Sequence, residues 1–319
     1  MAMDIRGLIS ATVTPFNADG SINQKNLEQH IARVGSTKGL YGVAVNGHAG
    51  EILTLSTEEA AGVVATARKV VPKDKKVVAG IHGQSISHLV REGLAAKAAG
   101  ADALLVLPMF DVRPYRHLAH NPDAVYTVFE RMDREVDLPM IVFQYPDATG
   151  CAYSPAALAK IAPLKNVVGI KAASVTPTKY AEVHDAVTAA VGDKVAVMAA
   201  CDAPGLLGML LYKAPGALLG ISVVGTEKWV ELVHEAIDGS AQKANEIHNN
   251  FCAPLMNSIY EYQLQRTPIS STSSNKEALV QLGELQSSWV RPPAISATAA
   301  KKEEIRAGLV KAGLLKLKG

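Results

Sequence analysis

The sequence predicts a (β/α)8 TIM barrel with a helical C-terminal extension, and three observations carry that expectation. Eight short apolar runs rich in Val, Ile, Leu and Ala are spaced along the first 225 residues. Helical patterns lie between them. After Gly225 the periodicity is helical and no good strand follows. Near-continuous apolar runs of this length mark parallel strands whose outer face is covered by helices. Eight such βα units close into a barrel. A doubly wound open sheet is the competing architecture. It usually has fewer strands and a Gly-rich phosphate turn after the first, and no such turn is present.

The expected strands, in order, are Leu8–Val13, Gly42–Val45, Lys76–Ile81, Ala103–Leu107, Met140–Phe143, Val167–Ile170, Val195–Ala199 and Ala217–Ile221. Ser56-Thr57-Glu58-Glu59 is a capping box that opens a helix running to about Val70. A helix over Ser85–Ala99 is stopped by Gly100. Another spans Ser154–Ala162, with Ser154 as cap and Pro155 in its first turn. The stretch Ala203–Gly225 is mostly apolar. Lys213 and Pro215-Gly216 break it into a buried helix, a turn and a buried strand, not a membrane span. The expected division is residues 1–225 as barrel core and 226–319 as the last barrel helix plus the extension. Pro292-Pro293 marks a loop before a final helix from Ala299 to about Ala312, with Gly313 as its stop.

Composition narrows the function. The chain has 319 residues, 48% hydrophobic and 19% charged, with a net charge of +2. That is a globular chain able to bury a large core, not a disordered one. No basic block or stripe points to nucleic acid. The three cysteines, Cys151, Cys201 and Cys252, are far apart and match neither a disulfide framework nor metal spacing. With no apolar leader following a basic start, the expected compartment is the reducing cytoplasm.

Barrel active sites sit at the C-terminal ends of the strands, so the residues there are the candidates. Lys171 is the sharpest. It follows Val167-Val168-Gly169-Ile170 and precedes Ala172-Ala173. Apolar surroundings disfavour its charged form and lower its pKa. A neutral amine can attack a ketone and form a Schiff base; a snorkelling lysine at a strand end is the plainer reading. Gly47-His48-Ala49-Gly50-Glu51 is the second candidate. A Gly-flanked turn can present successive N–H groups to a carboxylate, and His48 within it could do acid–base work. An ordinary βα turn with an incidental histidine is the alternative, and it weighs more heavily still for His82. No phosphate loop, dinucleotide fingerprint, His-Glu-x-x-His or Gly-x-Ser-x-Gly occurs. His48, His82 and Asp202 could be assembled into a metal set, but the pattern is unspecific, and no metal is expected.

Taken together, these residues resemble the dihydrodipicolinate synthase / N-acetylneuraminate lyase family of class I (Schiff-base) aldolases and lyases. The resemblance covers nearly the whole chain. Thr14-Pro15-Phe16, Gly47-x-x-Gly50-Glu51, Leu55-Ser56-x-Glu58-Glu59, Ala99-Gly100-Ala101-Asp102, Pro146-x-x-Thr149-Gly150 and Val168-Gly169-Ile170-Lys171 carry it. Each motif is weak alone, but their order and spacing on eight strands are specific. The resemblance implies that Lys171 forms the Schiff base, with no cofactor. It implies that the backbone around Gly47, His48 and Ala49 holds the carboxylate of a 2-keto acid. It also implies a homotetramer built as a dimer of dimers, with a small-molecule substrate and neither nucleic acid nor membrane as partner.

The departures bear on the substrate. The turn carries His48-Ala49 where the family has Thr-Thr or Ser-Thr. Strand five reads Phe143-Gln144-Tyr145-Pro146, which puts Phe143 at the family's catalytic tyrosine. Met109-Phe110 replaces a tyrosine pair, and Ala148 stands where the synthase has an arginine. A phenyl ring relays no protons. His48 is therefore the expected replacement, with Tyr145 on the same strand face as Phe143. Gln144 is expected to hydrogen-bond a substrate hydroxyl. Gly220 and Ile221, at the end of the last strand, complete the substrate-binding set. The expected function is a Schiff-base lyase, either a dehydratase or an aldolase. Its substrate would be a 2-keto acid such as a 2-keto-3-deoxy sugar acid, or pyruvate plus an aldehyde, and it would not be a true dihydrodipicolinate synthase. A non-catalytic 2-keto-acid-binding protein on the same scaffold is the alternative.

Overall fold

In the computed structural model, which describes residues 3–110, 115–260 and 270–316, eight parallel strands close in sequence order. They are β1 (Gly7–Ala11), β2 (Gly42–Val45), β3 (Lys76–Ile81), β4 (Ala103–Val106), β5 (Met140–Gln144), β6 (Val167–Ala172), β7 (Ala196–Ala199) and β8 (Gly216–Leu219), with β8 pairing back onto β1. The outer helices are α1 (Gln24–Gly35), α2 (Thr57–Val70), α3 (Ile86–Ala98), α4 (Pro122–Glu135), α5 (Pro155–Ile161), α6 (Pro177–Val191), α7 (Leu206–Leu211) and α8 (Thr226–Ile237). Their caps are the polar residues the sequence offers. Ser56 and Glu59 form the reciprocal capping box of α2. Ser85 caps α3 and Ser154 caps α5, which begins with Pro155.

Two cores result. Between strands and helices lie residues such as Val43, Val77, Leu104, Val142 and Ile170. Inside the barrel lie Ile9, Ala44, Val78, Leu105, Ile141, Phe143, Met198 and Leu218. The strand alternation thus sends each run to two different apolar surroundings, which is why the runs look continuous.

Two strand ends differ from expectation in ways that place a site residue. β6 runs two residues further than expected, so Lys171 lies inside the ladder, in register with Phe143 on β5 and Met198 on β7. β8 stops at Leu219, and Ile221 starts a 3-10 turn, Ile221–Val223. Residues 203–225 form α7, a turn and β8, as the breakers Lys213 and Pro215-Gly216 require. No helix among the described residues is long and apolar enough to cross a membrane.

Beyond α8, the extension comprises α9 (Ala241–Ile247), α10 (Ala253–Leu255), α11 (Ser271–Gln281) and α12 (Ala299–Lys311). π-helical turns, His248–Cys252 and Met256–Tyr260, flank α10. Pro254 has no N–H to give the α-helical ladder there, and such widened turns recur at functional sites. The extension returns to the barrel mouth. Thr272 Oγ1 donates to the His48 carbonyl at 3.1 Å, and Lys276 forms a buried ion pair with Glu51. The three cysteines are buried, and none forms a disulfide among the described residues.

Candidate active site

A cavity of about 610 Å³ opens at the C-terminal end of the strands. That is where a parallel barrel presents its loops and its unpaired strand ends. Lys171 reaches it from β6, Phe143 and Tyr145 from β5, Gly47, His48 and Ala49 from the turn after β2, Asp202 from the turn after β7, and Gly220 from the end of β8.

Lys171 is buried, with its Nζ 3.7 Å from the centre of the Phe143 ring. Burial pushes its pKa down to about 8, opposed by the negative charge of Asp202. The π face stabilises the ammonium only modestly, so desolvation wins. The neutral amine is therefore accessible near physiological pH. The expected desolvation of this lysine is realised.

The turn after β2 is built for close approach. Asn46 adopts φ 56° and Glu51 φ 57°, both left-handed. A Cβ on Gly80 would sit 2.0 Å from the Asn46 carbonyl oxygen, so only glycine lets β3 pass beneath the turn. Thr14 Oγ1 donates to the Gly50 carbonyl at 2.9 Å, and Asn46 Nδ2 to the Ala60 carbonyl at 2.8 Å. Within the turn, the N–H groups of Gly50 and Glu51 go to the carbonyls of Gly47 and His48. Those of His48 and Ala49 find no acceptor among the described residues, and both residues line the cavity. Two adjacent donors without protein acceptors make a cradle for a carboxylate.

His48 and Tyr145 meet: His48 Nε2 lies 2.5 Å from the Tyr145 hydroxyl. The rings of His48, Phe143 and Tyr145 pack on one another with centroids 4.8–5.2 Å apart. His48 has accessible surface, and it faces this cavity. Enclosure by protein, with the charges of Lys171 and His82 adding to it, pushes its pKa down to about 3. These neighbours favour the neutral imidazole, and one ring nitrogen shares a proton with Tyr145.

Two expected binding residues take other roles. Gln144 donates from Nε2 to the Tyr153 carbonyl and accepts the Tyr153 N–H at Oε1, both at 2.9 Å. Its amide is spent on the loop before α5, so it does not reach for a substrate hydroxyl. Ile221 is fully buried and does not line the cavity. Its N–H donates to Asp202 Oδ1 at 3.1 Å. His82, Met109 and Phe110 also do not line the cavity, and Phe110 packs edge-on against Tyr153 instead. No three metal-ligating side chains cluster among the described residues.

Sequence reasoning missed Tyr260 and the setting of Asp202, which line the same cavity. Asp202 is held by the N–H groups of Ile221 and Gly220 and by the Tyr260 hydroxyl, and burial nevertheless raises its pKa to about 6. Tyr260, from the second π-helical turn, is buried and receives a hydrogen bond from Asn275 Nδ2 at 3.2 Å. A Cβ on Gly220 would stand 2.3 Å from that hydroxyl. The glycine at the end of β8 is the one local signal that another group comes close there.

Comparison with known proteins fits this architecture. A family model described as the dihydrodipicolinate synthetase family matches residues 4–312. A 4-hydroxy-tetrahydrodipicolinate synthase of Methanothrix thermoacetophila is 31% identical over 264 residues, 83% of this chain and 84% of its own length. One of Pseudomonas putida is 28% identical over 312 residues, covering 98% and 99%. Among solved structures, dihydrodipicolinate synthase from Thermotoga maritima superposes with a TM-score of 0.86 at 26% identity, covering 98% of this chain and 100% of that one. A chloride-inhibited dihydrodipicolinate synthase from Acinetobacter baumannii, complexed with pyruvate, gives 0.85 at 27% identity with the same coverage.

Proposed function

The chain belongs to the dihydrodipicolinate synthetase family of Schiff-base, pyruvate-dependent aldolases and lyases, and on that premise we propose that it is a lyase acting on a 2-keto acid through an imine on Lys171. The single observation that carries the reading is Lys171 itself. It is a buried amine with a lowered pKa, fixed in β6 and lining the same cavity as the cradle of His48 and Ala49. In this reading the 2-keto-acid carboxylate takes the two N–H groups of the cradle. That sets C2 beside Lys171 Nζ. The amine adds to C2, water leaves, and the iminium draws electrons from C3. Either a C3 proton is lost and a C4 hydroxyl follows it, or the C3–C4 bond breaks and an aldehyde leaves.

The protons at C3 and C4 are moved by the pair His48 and Tyr145. The neutral imidazole can take the C3 proton, the phenol gives its own proton to the leaving oxygen, and the imidazolium returns a proton to the phenolate, so the pair works without either member starting charged. This pair stands in for the tyrosine that the family places at Phe143. Phe143 and Ala148 both line the cavity, and neither can relay a proton or bind a second carboxylate. For that reason we assign a substrate other than that of the dipicolinate-forming synthases. The proposed assembly is a homotetramer in the cytoplasm.

The test is a substrate screen with Lys171→Ala as the blank. Wild type is expected to release pyruvate or lose water from 2-keto-3-deoxy sugar acids, or to condense pyruvate with an aldehyde. It is not expected to form 4-hydroxy-tetrahydrodipicolinate. Formation of that product at a rate within tenfold of the Pseudomonas putida relative would overturn the substrate assignment. No imine chemistry with any 2-keto acid would leave a binding protein as the reading.

A further inference from the structure

We propose that Asp202 is the acid–base group of imine formation. It carries one proton from the Lys171 ammonium to the oxygen that leaves C2, and Tyr260 is the residue that positions it. The proposal rests on the lyase reading above and deepens it.

Imine formation has its own proton balance, separate from the chemistry at C3 and C4. An ammonium plus a ketone gives an iminium plus water. The nitrogen must lose a proton before it can attack. Attack leaves a second proton on nitrogen, which passes to the new alkoxide and makes the carbinolamine hydroxyl. That hydroxyl must gain one more proton before it can leave as water. One group that takes the first proton and returns it at the last step closes the balance with no other reactant. It ends as an anion beside the cationic iminium.

Asp202 meets each requirement. Its carboxyl lines the same cavity as Lys171, and the two charges act on each other. It is partly buried in the cavity wall, where it can meet a substrate bound to Lys171. It is faced by Lys171 from β6, Cys201 beside it, the N–H groups of Gly220 and Ile221 from the end of β8, and Tyr260 from the extension. The hydrogen-bond donors favour its anion, while burial favours its acid, and the balance sits at about 6. With Lys171 at about 8, proton transfer between the two is a modest uphill step, as a shuttle requires. His48 is poorly suited to this step. Its imidazole is engaged with Tyr145.

Tyr260 is committed to Asp202. Asn275 Nδ2 donates to its oxygen at 3.2 Å, which leaves the phenol proton free to serve the nearby carboxylate. Asn275 Nδ2 also lies 3.5 Å from the Gly220 carbonyl. Gly220, lacking a Cβ, leaves the space the phenol occupies. Lys171, the end of β8 and the extension thus converge on one carboxylate, which also caps the 3-10 turn Ile221–Val223.

The experiment follows the rate at which pyruvate becomes trapped on the protein by borohydride, in wild type, Asp202→Asn and Tyr260→Phe. Asn keeps the shape and can still accept from Ile221. The expected result is trapping slowed about 10²-fold or more in Asp202→Asn, within the usual range for losing a general acid–base group, with the adduct still on Lys171. Tyr260→Phe removes a donor that favours the anion, so the acid-side fall of the trapping rate moves to higher pH. A purely structural role would leave that profile in place. A second readout needs no keto acid. The pH midpoint of Lys171 acetylation falls in Asp202→Asn, because a neighbouring negative charge is gone. If wild type traps pyruvate and Asp202→Asn traps it equally fast, the proposal is overturned while the lyase reading stands. If wild type traps nothing, both fall.

Discussion

The two walls of the cavity are made differently. On one side, His48, Phe143 and Tyr145 come from barrel strands and their first turns, and their rings pack face to edge. On the other, Asp202 leaves β7 but is held by Tyr260 and Asn275, from an extension more than 50 residues downstream. The first wall lowers a histidine and the second raises a carboxyl. Environments that push titratable groups apart allow acid and base work to be divided between them. The aromatic wall suits proton transfer at C3 and C4, and the carboxyl wall suits assembly of the imine. Lys171, between them, serves both.

The division can be broken most directly at its shared member. Lys171→Ala is expected to abolish turnover, by on the order of 10⁴-fold or more, in any assay that wild type supports. Next come the walls. Tyr145→Phe should cost about 10²–10⁴ in turnover yet leave pyruvate trapping near the wild-type rate, which single-turnover kinetics would separate. If Tyr145→Phe slows trapping as much as turnover, the walls do not divide the work. The pH profile sharpens the same point. Trapping should fall below about pH 6, where Asp202 is protonated and cannot take the Lys171 proton, and above about 8, where that proton is no longer there to return. A profile that keeps rising from pH 6 to 9 would show that Asp202 does not shuttle the proton.

Two smaller effects concern how the walls are held. Lys276 is buried and paired with Glu51, and its Nζ also lies 4.5 Å from the centre of the Phe16 ring. Removing one partner leaves a buried charge alone, so Glu51→Gln should lower stability by about 3–5 kcal/mol, read by denaturant unfolding. Gly220→Ala forces a methyl against the Tyr260 hydroxyl. Overpacking of this kind costs about 1–3 kcal/mol, and the trapping rate should fall with it if Tyr260 is what holds Asp202.

The barrel was legible because its signal is local. Apolar runs, capping residues and breakers each act within a few residues, and every expected strand appears within two or three residues of its place. The first wall was legible for the same reason, since strand ends are where a barrel site must lie. Gln144 shows the limit. Its place on β5 is right, but which partner its amide chooses depends on Tyr153, nine residues away on a loop with no periodicity. The second wall was not legible. Glu51 and Lys276 are 225 residues apart, and Tyr260 reaches Asp202 only because the extension folds back over the mouth. No pattern in the chain encodes that crossing, except the glycine at position 220 that makes room for it.

The central claim is that Lys171 is an imine-forming amine. Intact mass and peptide mapping after incubation with pyruvate and borohydride test it most directly, in wild type and Lys171→Ala. The account predicts one reduced-pyruvate adduct per chain, on the peptide carrying Lys171, and none in the variant. An adduct elsewhere, or one that survives Lys171→Ala, would contradict it.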